Sequence, residues 1–157
     1  WGVLDAQYFR TPQHRERVIL VGFLREKCRP EVLSIRGEDR KTILASECIA
    51  AFSKRRTKVA KHNFINTIIA SYHGIGSDGA PGIIEDDGKV RRLTPIECER
   101  CQMFPDNWTK LGKDDELISD SQRYHMCGNA VCVSMMRAVF LALFDVICKE
   151  EQGAEQR

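Results

Sequence analysis

Charge of one sign is what this sequence most plainly lacks: 24 lysines and arginines stand against 22 aspartates and glutamates, a formal net charge of +2. Any affinity for a polyanion must therefore come from local clustering and not from the total. Long apolar runs are also missing. The longest, around Ala138 to Leu143, falls far short of the ~20 residues a membrane-spanning helix needs, and no secretory signal precedes the first strand-like run, so a soluble, intracellular chain with no membrane role is expected. The seven cysteines are odd in number and lack the spacing of a disulfide scaffold, which points to a reducing compartment. An initiator methionine is absent too; the chain opens at Trp1 with residues that read like the middle of a domain, and further polypeptide upstream is expected. What is present is 157 residues with 43% hydrophobic content, enough for a real core.

Along the chain, "RVILVGF" at 17–23 is a β-branched and aromatic run that predicts a buried strand after the loop "RTPQHRER". From Leu24 to Val90 charges are frequent and apolar runs short, and "HGIGSDGAPG" marks a loop-rich module. Within it "SKRRTKVAKH" collects Lys54, Arg55, Arg56, Lys58 and Lys61; a solvated face and a phosphate-contacting surface are both open readings. After Arg91 regularity returns. Thr94, Pro95 and Glu97 form a capping box with proline at N1, Leu93 and Cys98 a hydrophobic staple, and the helix they start should stop near Met103, before Phe104-Pro105. A second helix is expected from Gly128-Asn129, with Asn129 at the N-cap, to about Lys149, burying a stripe of Cys132, Met136, Val139, Phe140, Leu143 and Ile147.

Cys98 and Cys101 form a CxxC, and with His125 and Cys127 they could assemble four zinc ligands. Zinc knuckles, however, hold their CxxC on a tight turn, whereas this pair sits at i and i+3 inside a capped helix. Two small core thiols are the simpler account.

Three separated stretches resemble the C-terminal half of DNA cytosine-5 methyltransferases. "AQYFRTPQHRERVILVGF" is similar to the segment carrying Q-x-R-x-R before a strand, through Gln13, Arg15 and Arg17. "RRLTPIECERCQMFPDNW" is similar to R-x-L-T-x-x-E-x-x-R-x-Q-x-F-P, through Arg92, Leu93, Thr94, Glu97, Arg100, Gln102, Phe104 and Pro105. "QRYHMCGNAV" resembles the closing Y-x-x-x-G-N-A-V, through Tyr124, Gly128, Asn129, Ala130 and Val131. Their order and spacing also match. Cys101, Met103 and Ser134 depart from the family's usual leucine, glycine and proline, and Met103 is the one expected to crowd a backbone contact.

The resemblance implies an α/β fold, the C-terminal part of a Rossmann-like S-adenosylmethionine-dependent methyltransferase with a small target recognition domain inserted: residues 1–23 end the catalytic domain, 24–90 read DNA, and 91–157 return as helices. It implies catalytic roles for Arg17, Arg15 and Gln13 beside a flipped cytosine, whose O2 a guanidinium can serve. Asn129, Ala130 and Val131 would help close the S-adenosylmethionine site. Thr67 would face the backbone beside the flipped nucleotide, and Ser71, Tyr72, His73, Ser77 and Asp78 would meet base edges. Lys54, Arg55, Arg56 and Lys58 would contact phosphates of double-stranded DNA. The family's Pro-Cys nucleophile has no counterpart, since none of the seven cysteines follows a proline. The expected partner is therefore the N-terminal half, in the same chain or another, and the chain alone should be inactive. The expected setting is a bacterial, phage or prophage restriction-modification system, cytoplasmic and nucleoid-associated. A DNA-binding module without catalysis and a zinc-stabilised interaction domain are the alternatives.

Overall fold

The computed structural model describes residues 1–22, 49–53, 56–62, 64–70, 81–85 and 87–155, with the backbone alone for 49–62 and 149–155. Strand β1 (Gly2–Asp5) pairs antiparallel with β2 (Glu16–Ile19), with Val3 opposite Val18 and Leu4 opposite Arg17. A 3-10 turn, Ala6–Phe9, follows β1 and is capped by the Asp5 side chain. A second antiparallel sheet has the order β4-β3-β5-β6, from β3 (Ile49–Ser53), β4 (Arg56–His62), β5 (Pro81–Ile84) and β6 (Val90–Arg92). Three helices complete the described chain: α1 (Pro95–Cys101), α2 (Asp120–Asn129) and α3 (Val133–Glu155).

Helix α1 begins as its sequence dictates. Thr94 accepts from the Glu97 amide while the Glu97 carboxylate accepts from the Thr94 amide at 2.6 Å, so two orphan donors are satisfied reciprocally. It ends in a Schellman motif: the Met103 amide donates to Arg100 O and the Phe104 amide to Glu99 O, both at 2.9 Å, with Met103 left-handed at φ 63°. That geometry is the one glycine tolerates best, so the departure at Met103 acts through backbone strain, with its side chain turned out to solvent.

Three expectations are corrected. The strand over 17–23 is shorter, ending at Ile19 among the described residues, and it is not buried: Val18 and Leu20 are exposed because only one face of the β1–β2 pair is covered. Asn129 is the last residue of α2 and not an N-cap; Ala130 caps α2, and α3 starts at Val133. Helix α2 was hidden by its polar composition, although Ser119 accepting from the Gln122 amide is a legible start. The expected stripe on α3 is also rotated. Cys132, Met135 and Val139 are buried, while Phe140 and Ile147 face solvent.

Burial falls into two clusters. One joins Ile65, Ile68 and Ile83 to Leu93, Cys98, Cys101, Tyr124 and Cys127, packing β5 and the 65–68 segment with α1 and α2. The other joins Leu4, Ala6 and Phe9 to Cys132, Met135 and Val139, so the front of the chain and α3 share one core.

Candidate active-site cleft

The loop between the 3-10 turn and β2 is pinned from several directions. Asp5 accepts from the Gln7 amide at 3.2 Å and the Arg15 amide at 2.9 Å, and its carboxylate lies 2.6 Å from His14 Nδ1. Thr11 donates its hydroxyl to Ala6 O at 2.6 Å, and the Ala6 amide donates to Arg15 O at 3.0 Å. A segment more than fifty residues later then lies alongside. Gln13 and Ile65 form a parallel bridge, the His14 amide donates to Ile65 O at 2.9 Å, the Ile65 amide donates to Pro12 O at 2.7 Å, and Thr67 Oγ1 donates to His14 O at 2.8 Å.

This junction opens a cleft of about 370 Å³ lined by His14, Glu16, Arg17, Asn66 and Thr67. Arg17 and Thr67, singled out separately in the sequence, thus share one concave surface. Arg17 donates one guanidinium N–H to its own neighbour, Glu16 O, at 2.6 Å. The fork keeps further donors for a polar group entering the cleft. His14 and Asn66 were not foreseen, because they lie between positions that carry the motif; neighbouring a signature residue is the only signal they offered.

Gln13 and Arg15 stand elsewhere. Gln13 is 0% exposed, and its amide has no hydrogen-bond partner among the described residues. Arg15, 2% exposed, sends Nη1 to Ile68 O at 2.9 Å and Nη2 to Gly128 O at 2.9 Å and Ala130 O at 2.7 Å. Burial first, then the charge of Arg17, pulls its pKa down to about 10, so it remains a cation at neutral pH. Its charge rests on the C-terminal carbonyls of α2, where the helix dipole is negative. Gly128 is required by contact. A Cβ there would lie 2.3 Å from the Ala70 nitrogen and 2.4 Å from the Ile69 carbonyl carbon.

Asn129 is exposed, with its amide 3.0 Å from His125 Nε2, and Ala130 and Val131 form the bend between α2 and α3. Ser71, Tyr72, His73, Ser77, Asp78, Lys54 and Arg55 lie outside the described residues. Arg56 and Lys58 belong to β4, of which the backbone alone is described.

The thiols do not form a metal centre among the described residues. Cys98, Cys101 and Cys127 sit in the first core, where burial pushes Cys101 up to about 12, Cys127 up to about 11 and Cys98 higher still, so all three stay protonated at neutral pH. Among the described residues, Asp5, His14 and Glu16 have cation-sized spacing, but Asp5 already accepts the hydrogen bonds that shape the loop. Close by, Glu99 is 0% exposed and accepts from the Asn107 amide, the Thr109 amide and hydroxyl, and the Arg123 guanidinium. Burial alone would raise its pKa; the bonds from Thr109 and Arg123 together hold it below the usual glutamate range.

The fold is a mixed helix and strand arrangement of the α/β class, with a polar cleft where the 13–17 segment meets the 65–67 segment. Residues 31–145 match the model of the C-5 cytosine-specific DNA methylase family, which is more than half of the chain, and the chain belongs to that family. The Type II methyltransferase M.NlaX of Neisseria lactamica is 31% identical over 163 residues, covering 87% of this chain and 49% of that protein. M1.ScrFI of Lactococcus lactis subsp. cremoris is 27% identical over 180 residues, covering 96% and 44%. M.DsaV of Dactylococcopsis salina is 26% identical over 184 residues, covering 99% and 50%. The chain spans about half the length of the curated relatives it matches.

Proposed function

We propose that this chain is the target-recognition and C-terminal catalytic portion of a DNA cytosine-5 methyltransferase of restriction-modification type. On this reading 1–23 and 91–157 belong to a Rossmann-like catalytic domain, and 24–90 is the inserted recognition domain. The carrying observation is the cleft in which Arg17 and Thr67 converge. Its size suits one extruded pyrimidine, with Arg17 donating to the base O2 and balancing charge that develops on the ring when a thiolate adds at C6. Thr67, held by its bond to His14 O, faces the nucleotide backbone. Arg15 serves from behind, its guanidinium tying the loop that carries Arg17 to the segments packed on it, while Gln13 bridges to Ile65 through its backbone.

S-adenosylmethionine supplies the methyl group when bound. Asn129, Ala130 and Val131 fit one wall of its site: Asn129 ends α2 and Val131 lies in the bend that follows, both are exposed, and Arg15 holds the carbonyls of Gly128 and Ala130. Lys54, Arg55, Arg56 and Lys58 contribute phosphate contacts to double-stranded DNA, and the 71–79 segment reads bases. The buried, protonated thiols do not supply the nucleophile, which comes from the N-terminal half.

Two bare apolar surfaces support docking of that half. One is the outer face of the β1–β2 pair, with Trp1, Val3, Val18 and Leu20; the other is the outer side of α3, with Phe140, Leu141, Phe144 and Ile147. An apolar window of mean hydropathy 2.1 within Asp120–Cys148 would also meet the length and composition of a membrane span. Yet α3 commits its other side to Leu4, Ala6 and Phe9, which suits a layer between two protein cores better than a lipid-facing rod.

The test is complementation. The chain mixed with an N-terminal half bearing the Pro-Cys segment should transfer labelled methyl groups to duplex DNA, and Arg17→Ala should remove at least ~100-fold of that activity. Salt-sensitive DNA binding without any transfer would instead support a non-catalytic DNA-binding module.

A further inference from the structure

Arg15 bonds both to the 65–70 segment and to the carbonyls on either side of Asn129. Its guanidinium donates to Ile68 O, next to Thr67, and to Gly128 O and Ala130 O, which flank Asn129. These acceptors belong to segments some sixty residues apart in sequence, and they lie against each other so closely that residue 128 has no room for a Cβ.

From this geometry we propose that Arg15 is a positioning residue that couples the DNA side of the cleft to the cofactor side, so that binding of either ligand strengthens binding of the other. The inference rests on the functional reading above and assigns Arg15 a part in it that touches neither ligand.

Nε of Arg15 already lacks a hydrogen-bond partner among the described residues, so this buried cation depends on the acceptors that its two Nη atoms reach. If the 65–70 segment shifted while the 128–131 bend stayed, or the reverse, a guanidinium N–H would be left unmet where water cannot easily replace its partner. The two segments therefore move together or not at all. DNA that holds Thr67 in place also holds Ile68 O, and through the rigid planar fork it holds the carbonyls on either side of Asn129. A cofactor resting on Asn129 exerts the same constraint in reverse, as linkage requires. Lysine cannot replace the fork, because a compact ammonium on a flexible stem does not fix carbonyls that approach from two directions.

The experiment uses the complemented enzyme, with S-adenosylmethionine affinity measured by titration with and without a duplex carrying the target site. The wild type should bind cofactor at least about fivefold more tightly when DNA is present. Arg15→Lys should bind each ligand but lose that enhancement. Thr67→Val, which removes only the hydroxyl bond to His14 O, offers a second arm should Arg15→Lys fail to fold. It should weaken cofactor binding even though Thr67 lies on the DNA side. Enhancement unchanged in Arg15→Lys, or cofactor affinity unchanged in Thr67→Val, would overturn the coupling while methyl transfer by the same preparations leaves the functional reading standing. Wild-type assemblies that bind no cofactor would overturn both.

Discussion

The two cores of this chain are built to different degrees of completion. Around Cys98, Cys101 and Cys127, strands, α1 and α2 enclose their apolar side chains, and the neighbouring charges are matched, with Arg123 set against Glu99. Around Met135 and Val139 the front of the chain covers one side of α3 and leaves the opposite side, together with the outer face of β1–β2, as bare hydrocarbon. The first is enclosed among the described residues; the second leaves open the apolar surface on which the proposed N-terminal half would dock. Self-sufficiency in a polypeptide is thus a property of regions, and exposed phenylalanines on a well-formed helix mark where the next layer belongs.

Substitutions should separate the two regions. The largest effect is expected at their seam, where Gly128→Ala places a methyl group against backbone that cannot retreat; a loss of over about 4 kcal/mol, read by denaturant unfolding, is expected. Within the closed core Arg123→Met removes the charge partner of the buried Glu99 carboxylate, which keeps its bonds from Asn107 and Thr109, and should cost about 3 kcal/mol. The same pair predicts an acid limb. Folding lowers the Glu99 pKa, so its contribution is whole above the ordinary glutamate value of about 4.3 and fades as pH falls through the lower folded value. Stability measured from pH 6 downward should drop through that window, and Glu99→Gln should flatten the drop while lowering stability at neutral pH.

Smaller changes sharpen the contrast. Met103→Gly relieves a left-handed residue and should gain roughly 0.5–1 kcal/mol, visible as a raised melting temperature. Phe144→Glu, on the open side of α3, should alter the stability of the chain by no more than ~0.5 kcal/mol. In the complementation assay, however, it should weaken assembly sharply. A large stability loss from Phe144→Glu alone would mean that the outer face of α3 is already covered and that the two cores are not different in kind.

The sequence made some of this legible and not the rest, for physical reasons. Local chemistry was readable: the Thr94–Glu97 box, the proline at N1 and the Leu93–Cys98 staple depend on neighbours within one turn. Which side of α3 is buried was not, because the helix is apolar nearly all the way round, and periodicity cannot choose a side that only the β1–β2 pair and its turn decide. The cleft was half visible. Arg17 and Thr67 carry motif signals, but Arg15 has the same signal and a different place, since its acceptors are carbonyls brought in from distant segments. Backbone acceptors leave no trace in residue identity.

The parallel bridge between Gln13 and Ile65 has a kinetic corollary. Hairpin neighbours such as β3 and β4 meet after a short search, whereas the segments of this bridge must first bring together points far apart along the unfolded chain, at a cost in chain entropy that nothing local repays. Folding should therefore form the β3–β4 hairpin before the junction of His14 with Ile65 and the cleft beside it. In pulse-labelled hydrogen exchange during refolding, the amides of His14 and Ile65 should be among the last to gain protection.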